Sequence, residues 1–163
     1  MRNLAYAFTI AASLVTASAV EASADTAIFA GGCFWCVEKD MDHVKGVTGT
    51  ISGYAGGTAE NPTYKRHGGY TEAVKVEFDN AVIGYEALAA HFLRTIDAVD
   101  GGGRFCDRGE SYIPALFPID AKQKQAAVSA LDIAGKALGQ KLAVKLGATS
   151  SFVAAEDYHQ NYY

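Results

Sequence analysis

Ala27-Ile28-Phe29-Ala30-Gly31-Gly32-Cys33-Phe34-Trp35-Cys36-Val37-Glu38 is the stretch in which the chain passes from strand to helix. Ala27 to Ala30 is a short apolar run of strand type. Gly31 and Gly32 turn the chain, and Cys33 to about Asp42 continues as helix. Cys33 is therefore expected at a helix N-terminus, where free N–H groups and the macrodipole favour an anion. A thiol there should ionise readily, and the thiolate is the nucleophilic form. Phe34 and Trp35 put two aromatic rings beside that sulfur. Phe34 alone reads as a core anchor, whereas the pair beside a cysteine reads equally as the wall of a substrate pocket.

The chain has 163 residues, half of them apolar and a fifth charged, enough for one domain with a core. A net charge of −4 leaves no basic footprint for nucleic acid. Arg2, the apolar run Leu4 to Val15 and the small residues Ala17-Ser18-Ala19 and Ala22-Ser23-Ala24 together read as a secretory signal peptide. Cleavage after Ala24, which fits best, would leave a mature domain of residues 25–163, with Ala19 the alternative site; the domain would be exported most simply to a bacterial periplasm and not inserted in the membrane. Export favours disulfides, yet the cysteines number three, so one is unpaired within the chain.

Thr71 to Asp79 is the clearest strand. Its even positions, Glu72, Val74, Val76 and Phe78, form the core face by alternation. Glu72 then turns inward at the strand's start, where desolvation raises its pKa, unless it sits at a solvated rim beside a Lys or Arg. Val47 to Tyr54 is a further strand, with Val47, Gly49, Ile51 and Gly53 on one face. Gly84 to Thr95 is an amphipathic helix, and Asp120 caps a helix running to Leu138 with Gly139 as its stop. Tyr112 to Phe117 and Leu142 to Leu146 read as short strands. Residues 55–70 and 98–111 read as glycine-rich loops, and residues 151–163 show no clear period. The mixed order implies an α+β fold, a sheet with helices mainly on one side.

The pattern resembles one family. Gly32-Cys33-Phe34-Trp35 followed by Val37-Glu38 is similar to the signature of the A-type peptide-methionine sulfoxide reductases, with Cys36 where that family usually has glycine. Gly53-Tyr54-Ala55-Gly56-Gly57, Asn61-Pro62-Thr63-Tyr64, Gly69-Tyr70-Thr71-Glu72, Asp107-Arg108-Gly109-Glu110-Ser111-Tyr112 and Asp157-Tyr158-His159-Gln160-Asn161-Tyr162 resemble its other motifs, in order. Ser111 replaces a glutamine.

The resemblance implies a ferredoxin-like two-layer fold and reduction of the S-epimer of methionine sulfoxide, free or in proteins. It implies Cys33 as nucleophile and Glu72 as acid, with Tyr64 and Tyr112 on the sulfoxide oxygen. It further implies Asp107 on the substrate backbone and Phe34 and Trp35 around the methyl group. Cys33 becomes a sulfenic acid, which a second thiol condenses to a disulfide. Cys36, one turn along the helix in a C-x-x-C spacing, is the first candidate for that thiol, and Cys106 the second. No bound cofactor or metal is expected. The partners are the sulfoxide and an external thiol reductant of thioredoxin type, the enzyme acting as a monomer. The rival reading is a thioredoxin-like exported disulfide oxidoreductase built on Cys33 and Cys36, although no proline is placed beside the dithiol.

Overall fold

In the computed structural model, residues 24–148 and 151–163 are described. The signal-peptide reading, apart from Ala24, lies outside them. Strand β1 (Ala24–Ala30) leads through Gly31-Gly32 into helix α1 (Phe34–Asp42), with Cys33 at the N-cap. Strands β2 (Val47–Ala55) and β3 (Thr71–Asp79) follow, joined by residues 56–70, and then helix α2 (Tyr85–Thr95). A small hairpin of β4 (Gly103–Arg104) and β5 (Asp107–Arg108) precedes a 3-10 turn at Glu110–Tyr112. Strand β6 (Ala115–Leu116), helix α3 (Ala121–Leu138), strands β7 (Lys145–Leu146) and β8 (Phe152–Ala154) and a 3-10 turn at Asp157–His159 complete the order.

The main sheet runs β7-β6-β1-β3-β2-β8. All its pairs are antiparallel except β6 with β7, so the sheet is mixed. The inner order β6-β1-β3-β2, with α1 crossing from β1 to β2 and α2 following β3, is the ferredoxin-like arrangement expected. Alternation along β3 explains why the helices gather on one face. Val74, Val76 and Phe78 join Ala27 and Phe29 of β1, Phe34, Val37 and Met41 of α1, Leu88, Ala89 and Phe92 of α2, and Ala127 and Ala130 of α3 in one buried cluster. Ala73 points the other way, into a smaller cluster with Ile28, Ala30, Ala55, Ala115 and Phe117.

The ends of α3 follow from its sequence. The Asp120 carboxylate accepts the Gln123 N–H at 2.7 Å, and Gly139 closes the helix in the left-handed conformation, φ 65°.

Some expectations need correction. A bulge between Val47 and Gly49 breaks the alternation of β2, so Val47 packs on the same core as Tyr54. The stretch 98–111, read as loop, contains the β4–β5 hairpin. The strand read over Leu142 to Leu146 shrinks to Lys145–Leu146, because the Ala143 N–H donates to the Ala98 carbonyl (2.8 Å) after α2.

The tail, read without a period, supplies edge strand β8 and is pinned by single polar side chains. Gln160 Oε1 accepts the Ser52 N–H at 2.9 Å, and its amide donates to the Ser52 and Ala155 carbonyls at 3.0 and 3.1 Å. Glu38, buried on α1, accepts the Asn161 N–H at 3.1 Å. Gln160→Ala should therefore cost about 1–3 kcal/mol in urea unfolding, the penalty of a part-buried donor left without its partner. An unchanged midpoint would show that the tail does not depend on this clasp.

Candidate active site

The site forms where β1 passes into α1 beside the start of β3. Gly32 has φ +92°, and a Cβ there would lie 2.5 Å from the Arg104 Cβ, so this turn requires glycine and seats the hairpin directly against it. Helix α1 then starts with free N–H groups, and that of Phe34 donates to Glu72 Oε2 at 3.1 Å.

Glu72 is 1% exposed, which settles its inward orientation over the solvated rim. Its Oε1 has no hydrogen-bond partner among the described residues. Burial pushes this carboxyl up to about 7; the Phe34 N–H opposes the rise and the Asp107 charge adds to it. A partly protonated carboxyl with one open oxygen is a proton donor looking for an acceptor.

The thiol departs from expectation. The N–H groups of Cys36 and Trp35 do favour its anion, but burial outweighs them, and Cys36 and Glu72 add repulsion; together these push Cys33 up to about 11. Cys33 therefore rests as a thiol. Cys36 lies in the first turn of α1, its N–H donating to the Cys33 carbonyl at 3.2 Å, and is partly exposed. Cys106 is exposed, in the two-residue turn between Arg104 and Asp107. All three cysteines are free.

Tyr64 and Tyr112 converge on the same point. Burial comes first in raising both phenols, Tyr112 to about 12, and each also feels Glu72, Cys33 and Asp107. Both therefore stay neutral and able to donate. Tyr64 comes from the long 56–70 connection, Asp107 from the hairpin and Tyr112 from the turn after it.

The aromatic pair divides its work. Phe34 is 1% exposed, packed among Trp35, Tyr54, Tyr64 and His159, so it is the floor under the site as well as a core anchor. Trp35 is half-buried and stacks on Tyr162, centroids 4.0 Å apart.

Glu156 was not singled out in the sequence. It accepts the Tyr64 N–H and the Tyr54 hydroxyl, each at 3.1 Å, and so holds the tyrosine loop in place. Its position directly before the Asp157-Tyr158-His159 motif was the available signal. His159, from that motif, is 2% exposed with its ring against Phe34, Trp35 and Tyr64.

Comparison with known proteins identifies the family and the fold. The sequence model of a family described as "Peptide methionine sulfoxide reductase" matches residues 25–163. "Peptide methionine sulfoxide reductase MsrA 2" of Rhizobium meliloti is 46% identical over 138 residues, spanning 83% of this chain and 70% of that protein. The Caulobacter vibrioides protein of the same name is 40% identical over 169 residues, 99% of this chain and 86% of that one. Among solved structures, methionine sulfoxide reductase A of Corynebacterium diphtheriae superposes with TM-score 0.74 at 27% identity, covering 88% of this chain and 75% of that chain. Reduced Mxr1 of Saccharomyces cerevisiae gives 0.80 at 25%, covering 91% and 88%.

Glu72 also links the site to stability. Its folded pKa is raised, so between about 4.5 and about 7 the folded state holds more protons than the unfolded state and stability falls as pH rises. The cost above that window is on the order of 3 kcal/mol. Glu72→Gln should remove this fall: thermal unfolding at pH 8 should show the variant more stable than wild type, with the gap closing by pH 4. A gap independent of pH would refute a raised carboxyl at this position.

Proposed function

The chain belongs to the peptide methionine sulfoxide reductase family and reduces methionine sulfoxide; from that premise and the geometry of the site, we propose that Cys33 attacks the sulfur of the S-epimer while Glu72 protonates its oxygen. The carrying observation is Glu72 itself, a buried carboxyl with one oxygen held by Phe34 N–H and the other open. Tyr64 and Tyr112 donate hydrogen bonds to the sulfoxide oxygen as its negative charge grows. Having given up its proton, the Glu72 carboxylate is the nearby base that takes the proton of the Cys33 thiol. This supplies the thiolate only when substrate is present, which fits a resting thiol raised to about 11.

The step balances. Methionine sulfoxide and Cys33 thiol give methionine and Cys33 sulfenic acid, the oxygen passing from one sulfur to the other. Cys36 thiol then displaces water and forms the Cys33–Cys36 disulfide. An external dithiol of thioredoxin type returns both cysteines to thiols by exchange. Asp107 holds the substrate backbone, and Trp35 lies against the S-methyl group above the Phe34 floor. If the N-terminal leader directs export, the donor must work outside the cytoplasm. The thioredoxin-like alternative is not favoured, since the relatives are sulfoxide reductases.

Cys36 is preferred to Cys106 for a geometric reason. Residues three apart in a hydrogen-bonded turn, as the Cys36 N–H to Cys33 carbonyl bond makes them, have Cα atoms within about 7 Å, the range a disulfide can span. Cys106 sits in an exposed turn instead.

Two tests follow from this mechanism. Cys33→Ser should abolish reduction of the S-epimer with dithiothreitol, and Glu72→Gln should lower the rate ~10²–10⁴-fold. The variant should also lose the decline in rate that wild type shows above about pH 7, where Glu72 loses its proton. Near-normal activity of Cys33→Ser, or an unchanged pH profile in Glu72→Gln, would remove those roles.

The resolving thiol is separable. Cys36→Ser should turn over with dithiothreitol, which attacks the sulfenic acid directly, and fail with a thioredoxin-like protein. Cys106→Ser should work with both. Mass spectrometry after one turnover should find the Cys33–Cys36 bridge; a Cys33–Cys106 bridge would reverse the assignment.

A further inference from the structure

Phe105 is the most exposed large apolar side chain among the described residues, at 83%. It is also held in an unfavourable backbone conformation, φ 51°, at the first position of the two-residue hairpin turn, where glycine is preferred. An aromatic ring in water on a strained backbone costs stability twice over. Such strain gathers where a surface is used.

The ring is also fixed in place. The Arg104 guanidinium lies 5.4 Å from its centroid, and Arg104 in turn reaches Asp40 on α1 at 3.5 Å. The Arg104 Cβ packs against Gly32, the residue before Cys33. A short chain of contacts thus leads from the nucleophile's turn to the Phe105 ring. Asp107, on the same hairpin, is proposed above to hold the substrate backbone.

Beside Trp35 stand Tyr162 and Tyr163, 55% and 68% exposed. Tyr162 stacks on Trp35, and Tyr163 meets it edge-on at 5.4 Å with its ring under the Lys39 ammonium. The Tyr163 phenol is held above its ordinary value, Cys36 first among the causes.

We propose that Phe105 on one side and Tyr162 with Tyr163 on the other form an apolar clamp for the residues flanking methionine sulfoxide in a polypeptide. The flanking residues it takes are apolar ones. This rests on Cys33 being the reactive residue, because the clamp is defined by its distance from that site. The clamp acts on KM and contributes nothing to the chemical step.

Steady-state kinetics with dithiothreitol would compare N-acetyl methionine sulfoxide with two pentapeptides carrying serine or leucine on both sides of the sulfoxide. Wild type should favour the leucine peptide over the serine peptide by about tenfold in kcat/KM, what partial burial of one or two apolar side chains supplies. Phe105→Gly should erase most of that preference through KM, leave the N-acetyl compound within about twofold, and raise the melting temperature by relieving the strained φ. Phe105→Tyr should keep the preference. Calorimetric titration of the leucine peptide into Cys33→Ser reads the clamp without turnover, so a failed clamp and a failed Cys33 mechanism are distinguished. Equal kcat/KM for the two peptides in wild type would overturn the clamp. So would a Phe105→Gly defect shared by all three substrates, or one seen only with a protein electron donor.

Discussion

The hydrogen bond from the Phe34 N–H to the Glu72 carboxylate joins the first residue of α1 to the start of β3, and the site is arranged around it. It requires β1 to end in a turn tight enough to aim a free helix N–H at the sheet, which Gly31-Gly32 provides. It requires Glu72 to point inward, which the alternation of β3 provides. It also requires the strand beside Glu72 to stay in register, and Tyr54 of β2 is paired directly opposite. The bond satisfies one carboxyl oxygen and leaves the other open inside a dry pocket. Burial then decides the protonation state: one N–H donor lowers the pKa, but desolvation is larger and the balance lies near 7. A second donor on Oε1 would have made an inert structural carboxylate.

The same contest has a different outcome at the thiol from the one its position suggests. A helix start stabilises a nearby anion by about 0.3–1 kcal/mol, below one unit of pKa. Desolvation can reach several units. The half-buried thiol beside Glu72 and Cys36 follows the larger effect and rises from 9.0 to about 11. Its N-cap position is therefore less an activator than a placement, setting the sulfur beside Glu72 and the next cysteine of the turn. In the mechanism proposed above, activation comes with the substrate, through the proton that Glu72 gives away.

What was legible in the sequence was what repeats. β3 came out residue for residue because nine positions alternate without a break, and α2 and α3 because their apolar faces and caps are local. Glu72 was legible for the same reason, and the fold class followed from the element order. The bulge in β2, the β4–β5 hairpin and the tail were not, and β6 and β7 were read longer than they are, since no period can be read from two or three residues and their hydrogen bonds go to distant partners. Glu156 illustrates this: its bonds reach Tyr64, ninety-two positions away, and Tyr54, a hundred and two away. The depression of Cys33 acidity was hidden too, because burial is a property of the packed chain.

The site thus has two parts held by different forces. Its floor of Phe34, Glu72 and Tyr54 is continuous with the main core and shares that core's full stability. Its rim is the hairpin and the tail. The hairpin is tied by Arg104 to Asp40 and by Arg108 to Asp100, pairs near the surface, where such contacts add little. The tail is held by the hydrogen bonds of Gln160 and Glu38 and by His159 and Tyr162 against Phe34 and Trp35. Local opening is cheapest where buried apolar contact is least. The floor therefore keeps Cys33 and Glu72 in place on the main core, while the rim around them is held by contacts of lesser burial.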